Sequence, residues 1–181
     1  MNINVEISIS ELLKLCREIM CKKIATYSNT PSFLNPITFL DLSFAKLYRI
    51  RAFLLNKKMY VKESIIETIT TVINYTLLFL YYYEKHNQGS KNLLAFFDET
   101  KEKIDNISNT KNKDYDYAWM YMEDLSLIEI AIAKVFRIKN MIKTNNNNYE
   151  SIYDNAIDII NYTILFYIKC TIEDSNCYKI N

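Results

Sequence analysis

The segment from Glu63 to Phe79, ESIIETITTVINYTLLF, recurs as ESIYDNAIDIINYTILF between Glu150 and Phe166. At a shift of 87, nine of the seventeen positions are identical, among them Ile73-Asn74-Tyr75-Thr76 against Ile160-Asn161-Tyr162-Thr163. Further upstream, a shift of 88 sets Ala45-Lys46-Leu47-Tyr48-Arg49-Ile50 against Ala133-Lys134-Val135-Phe136-Arg137-Ile138. The same shift sets Lys23 against Lys111 and Tyr27 against Tyr115. These matches are clustered and collinear, so the chain reads as two copies of one unit. Copy one spans residues 8–85 and copy two 92–171, with 86–91 as linker and 172–181 as a tail. The only glycine, Gly89, falls in that linker, where a chain can turn back.

The repeated unit is helical. The first helix of copy one carries Leu12, Leu15, Cys16 and Ile19 at the spacing of an amphipathic stripe. Its counterpart in copy two carries Ile104 and Ile107, approached through Phe96, Phe97 and Thr100. The second helix opens at Thr38–Asp41 in copy one and at Ser126–Glu129 in copy two. Each has a hydroxyl residue followed three positions later by an acid, the outline of a capping box. The third begins near Glu63 or Glu150 and runs through the INYT segment. With neither Gly nor Pro inside these runs, the expected fold is all-α, two tandem three-helix repeats packed about a pseudo-twofold axis.

With one glycine and two prolines in 181 residues, Gly-rich phosphate loops, dinucleotide fingerprints and hairpin-rich β folds lack their raw material. One histidine, His86, removes His-paired nucleophiles and most zinc sites. A net charge of +1 gives no electrostatic reason to expect nucleic-acid binding. Cys16, Cys21, Cys170 and Cys177 form no CxxC pair and follow no signal peptide, which fits a reduced, cytoplasmic protein. The apolar run Val72–Tyr83 is shorter than the ~20 residues of a membrane span and reads as a buried helix. Abundant Ile, Asn, Lys and Tyr point to an AT-rich genome, and Asn145–Asn148 reads only as an interhelix loop.

The informative polar residues are those that recur on apolar helices. Lys46 and Arg49, like Lys134 and Arg137, lie at i, i+3 and share a helix face. Glu150 precedes Asn161 by about three turns, roughly 16 Å, on one face. Asp154 and Asp158 lie between them, whereas copy one has Glu67 and Thr71 at those places. Two readings stay open. The carboxylates of copy two could hold Mg²⁺ while Lys134 and Arg137 contact phosphate. Alternatively, the same charges tie helices together as structural ion pairs, and Asn74 and Asn161 clamp neighbouring helices. Trp119 either lids a pocket or packs on the bundle end.

The run Lys111-Asn-Lys-Asp-Tyr-Asp-Tyr-Ala-Trp119, then Ser126-Leu-Ile-Glu129, Lys134-Val-Phe-Arg137-Ile138, Glu150 and Asp158-Ile-Ile-Asn161-Tyr162 resembles the nucleotide modification associated domain family, the first of that name. That family resembles in turn the all-α nucleoside triphosphate pyrophosphohydrolases of the MazG kind. The resemblance implies a MazG-like bundle, a nucleotide as partner, and Mg²⁺ held by Glu150, Asp158 and Asp154. It places Lys134 and Arg137 on phosphate, with Lys46 and Arg49 from copy one completing the site. Asn161 would orient a ligand or carboxylate, and Trp119 would cover a base. The MazG kind carries an E-E-x-x-E cluster, whereas Asp41–Arg49 reads DLSFAKLYR and Glu129–Arg137 reads EIAIAKVFR. The resemblance thus implies one metal ion at most and names no catalytic residue. The rival from another class is a noncatalytic scaffold, with self-association as a further expectation.

Overall fold

The computed structural model describes residues 5–27, 33–56, 58, 62–88, 92–114, 116–144 and 148–172. These form six α-helices: α1 Val5–Tyr27, α2 Pro36–Asn56, α3 Ile65–Gln88, α4 Leu93–Asp114, α5 Asp124–Lys143 and α6 Tyr149–Ile172. A 3₁₀ turn, Ala118–Tyr121, precedes α5, and there is no strand among the described residues. The expected all-α class is what the chain adopts. Gly89, Tyr115, Asn145–Asn147 and 173–181 lie outside the described residues, while 86–88 of the expected linker continue α3.

Helix boundaries follow their caps rather than the boxes read at Thr38 and Ser126. The Asn35 side chain accepts the Ile37 amide at 3.0 Å, and Pro36 follows it at the first helical position. Thr38 is therefore already inside α2, as Ser126 is inside α5. Asn92 caps α4 by accepting the Leu94 amide at 2.8 Å, which draws Phe96, Phe97 and Thr100 onto the helix as buried residues. Asn148 caps α6 by accepting the Glu150 amide at 3.1 Å, so the last residue of the asparagine tract has a structural task. A reciprocal box does form elsewhere: Glu67 accepts the Ser64 amide at 2.7 Å, and Ser64 accepts the Glu67 amide at 3.1 Å.

The chief packing contacts are within the hairpins α2–α3 and α5–α6, and then between α2 and α5 and between α3 and α6. Helices α1 and α4 touch each other and pack against α3 and α6. The core is Ile- and Leu-rich: Leu47, Ile69 and Ile73 of copy one and Ile128, Ile160 and Ile164 of copy two are fully buried. The segment Ile65–Glu84 is long and apolar enough to cross a membrane, yet 72% of it is buried inside the molecule. It is a core helix here. Buried hydroxyls where α2 meets this helix satisfy one another: Ser43 of α2 donates to the Val72 carbonyl at 3.0 Å and lies 2.7 Å from Thr76 Oγ1.

Candidate functional site

The structure separates the residues that the sequence placed together. On copy one, Lys46 Nζ reaches the Glu63 carboxylate at 2.8 Å, and Arg49 pairs with the same carboxylate. Arg49 also donates to the Glu63 carbonyl at 2.7 Å and to Thr68 Oγ1 at 2.9 Å. Both cations are thus engaged within copy one and do not complete a site in copy two. On copy two, Lys134 Nζ pairs with Asp158 Oδ2 at 2.8 Å, between α5 and α6. Arg137 is exposed.

Asn161 is buried, and its Oδ1 accepts the Ser108 hydroxyl of α4 at 2.9 Å. Asn74 does the corresponding job in copy one, donating from Nδ2 to the Cys16 carbonyl of α1 at 3.0 Å. These are interhelix clamps. Trp119 is 5% exposed and sits in the 3₁₀ turn, behind two left-handed residues, Asp116 (φ 45°) and Tyr117 (φ 56°). It packs into the core and is not among the residues that line the cavity described below. Just after it in the chain, Met122 and Asp124 hold the buried Lys169 of α6, which donates to the Met122 carbonyl and pairs with Asp124 at 3.1 Å. Asp41 and Glu129, read as capping acids, instead pair across α2 and α5: Asp41 with Lys139, and Glu129 Oε1 with Arg51 Nε at 2.8 Å.

The remaining two acids of the expected metal set share one place. Glu150 and Asp154 line a cavity of about 380 Å³, formed by the end of α3, the start of α4 and the start of α6. Its other walls are Glu84, Phe96, Glu99, Thr100, Lys103, Tyr149 and Tyr153. The helical registers explain the split: along α6, each i+4 step turns the side chain by about 40°, so Asp158 has rotated away from Glu150 toward α5. Among the described residues no group of three or more Asp, Glu, Cys or His converges to hold a metal ion. A resident metal centre of Glu150, Asp154 and Asp158 is therefore not formed by these side chains.

The cavity has three kinds of lining. Tyr149 donates its hydroxyl to Glu84 Oε2 at 2.8 Å, and burial, reinforced by that bond, pushes the phenol well above its ordinary range. Burial also raises Tyr153, so both phenols remain protonated donors at neutral pH. Lys103 Nζ lies 4.9 Å above the Tyr153 ring. The Tyr149 and Tyr153 rings stand 6.0 Å apart, and Tyr149 stacks on Tyr83 at 6.4 Å. The sequence reading missed Glu84, Glu99, Lys103 and the tyrosines, because helices of both copies contribute them. Tyr153 and Tyr149, adjacent to acids in the first turn of α6, were the available signal.

Residues 111–170 match the model of a family described as nucleotide modification associated domain 1. The matched stretch is about a third of the chain, and it holds the 3₁₀ turn, α5 and nearly all of α6. No curated protein and no solved structure matches the chain.

Proposed function

We propose, from that match, that the chain is a nucleotide-modification-associated helical protein that binds a nucleotide in the α3–α4–α6 cavity. The observation that carries this reading is the shared lining of Glu150, Asp154, Lys103 and the aromatic rings around one cavity of about 380 Å³. That volume suits a small organic ligand, whose binding sites are typically ~300–1,000 Å³. The rings offer faces on which a base can stack, and Lys103 offers a phosphate contact. The acids would repel bare phosphates, so the ligand enters with its charge offset. Mg²⁺ is usually held by one or two carboxylates together with the substrate's own phosphates. Glu150 and Asp154 fit that requirement, although they fall short of a resident cage. The ion would there neutralise phosphate charge, and in a MazG-like hydrolase it would also activate a water. The tandem duplication, the pseudo-twofold arrangement and a cytoplasmic location belong to the same proposal.

A scaffold reading is favoured by one specific observation: Lys46, Arg49 and Lys134 are all engaged by carboxylates, Glu63 just before α3 and Asp158 of α6. Isothermal titration of common nucleoside triphosphates, with and without Mg²⁺, separates the two. The cavity reading expects Mg²⁺-dependent binding that Asp154→Asn and Tyr153→Ala weaken by about tenfold each. Lys134→Met leaves that binding unchanged. Absence of binding by every nucleotide, or binding indifferent to both cavity variants, sinks the cavity reading and leaves the scaffold.

A further inference from the structure

We propose that the outer face of α2 and α5 is a twofold interface on which a second copy of this chain docks. The two helices run antiparallel there. Asp41 of α2 meets Lys139 of α5 at one end, Phe44 meets Phe136 in the middle, and Arg51 meets Glu129 at the other end. The outward stripe of α2 is Asp41, Ala45, Tyr48, Ala52 and Leu55, all exposed, and that of α5 begins Glu129, Ala133, Phe136. Tyr48 is 43% exposed, Phe136 50% and Leu55 50%. Phe44 forms the floor between the two aromatics, with its ring 4.6 Å from Tyr48 and 5.2 Å from Phe136. The middle of the face is thus apolar, with alanines beside the aromatics.

The charges identify the occupant. Asp41 and Arg51 flank the aromatic middle of the α2 face on its two sides, and Lys139 and Glu129 stand beside them on α5. The acids therefore lie on one diagonal of the face and the bases on the other. Turning an identical face over about an axis along the helices sets Asp41 over Lys139 and Arg51 over Glu129. Turning it about the perpendicular in-plane axis sets Asp41 over Arg51 and Lys139 over Glu129. In both orientations every acid meets a base. A face with this pattern is complementary to itself, the requirement of a closed isologous dimer. A strongly charged partner finds no net charge to read in the four rim groups. Each rim pair is half-exposed and contributes little by itself. Covering by a second copy would give each charge a second partner and remove Tyr48, Phe136 and Leu55 from water. Ala45 and Ala133 would let facing helices approach to the ~8–10 Å of ordinary helix packing.

Sedimentation velocity on the full chain tests this. The wild type is expected to be a dimer. Tyr48→Glu and Phe136→Glu should each weaken self-association by about thirtyfold, the effect of an aromatic at the centre of an interface. A second pair of variants changes only surface charges and leaves the core intact. Asp41→Lys with Glu129→Lys makes an all-basic rim, and Arg51→Glu with Lys139→Glu makes an all-acidic one. Each is expected to be monomeric alone, and an equimolar mixture should form the heterodimer. A wild type that stays monomeric at about 100 μM overturns the proposal. So does a dimer that survives the aromatic variants, or a mixture of the charge variants that fails to associate.

Discussion

Glu63 and Glu150 occupy the same place in the two aligned halves, yet they face different neighbours. In the first half, Ser64 caps α3, so Glu63 falls before the helix and folds back over α2 to take both Lys46 and Arg49. In the second half, Asn148 caps α6 nearly one turn earlier in the alignment. Glu150 is then carried in the first turn of α6 and lines the cavity beside α4. The lysine of the second half, Lys134, takes Asp158, which stands where the first half has Thr71. A repeated acid is therefore not a repeated contact. The position of one capping side chain decides whether it is an internal counter-ion or part of a cavity wall. The first half spends its glutamate on stability, and the second keeps one exposed.

The largest expected effect follows from that difference. Glu63→Gln strands two cations whose side chains are only 20–28% exposed. The loss should be about 2 kcal/mol, below the cost of breaking a fully buried pair because solvent still reaches these groups. Glu150→Gln should change stability by no more than about 0.5 kcal/mol. Urea denaturation of the two variants checks the contrast, and equal losses would break it. Thr71→Asp, made in the Glu63→Gln background, gives Lys46 the kind of partner that Lys134 has. It should restore about 1 kcal/mol, the scale of one part-buried charge-assisted bond. A restoration that is unchanged when Lys46→Met is added would show that Lys46 is not the group rescued.

The helices were legible because their apolar periodicity is uninterrupted. The caps were not. Asn35, Asn92 and Asn148 are three among many asparagines in an Asn-rich chain, and only the backbone distinguishes a capping asparagine from its neighbours. Misplacing the caps shifted the start of α2 and of α5, and so gave Asp41 and Glu129 a local task in place of their pairs across α2 and α5. Trp119 lies on the chain like a loop aromatic, but two consecutive left-handed residues turn it inward. The cavity was illegible for a topological reason. Its walls come from the end of α3, the start of α4 and the start of α6, and periodicity within a helix says nothing about which ends meet.

The halves also differ at the first helix, where Cys16 stands at the place Ile104 holds in the second. Burial pushes the Cys16 thiol from 9.0 up to about 12. Because the folded value is raised, the stability it reflects is complete below pH 9. It is lost as pH rises toward about 12, since the unfolded chain gives up that proton first. The buried tyrosines, also raised, begin to act only from their ordinary 10.0. A decline in Tm beginning between those two values therefore belongs to Cys16. Cys16→Val should delay the decline until the tyrosines titrate. A decline of the same onset in that variant would remove the thiol from the account.

The smallest effect lies where the first helices of the two halves meet. Arg17 Nε and Asp98 Oδ1 stand 2.6 Å apart, joining α1 to α4, with side chains 40% and 50% exposed. The hydrogen bond from Arg17 holds the Asp98 carboxyl below its ordinary value. With a lowered folded value the sign is opposite to that of Cys16: the contribution is present above the unfolded pKa of 3.8 and fades as pH falls through the folded one. Solvent and salt screen a pair this exposed, so Asp98→Asn should barely move the neutral-pH melting curve. The two proteins should converge further in acid, where the wild-type carboxyl is protonated. A gap that widens on acidification would mean that Asp98 stabilises the fold through something other than its charge, and that the α1–α4 contact is more than a surface clasp between the halves.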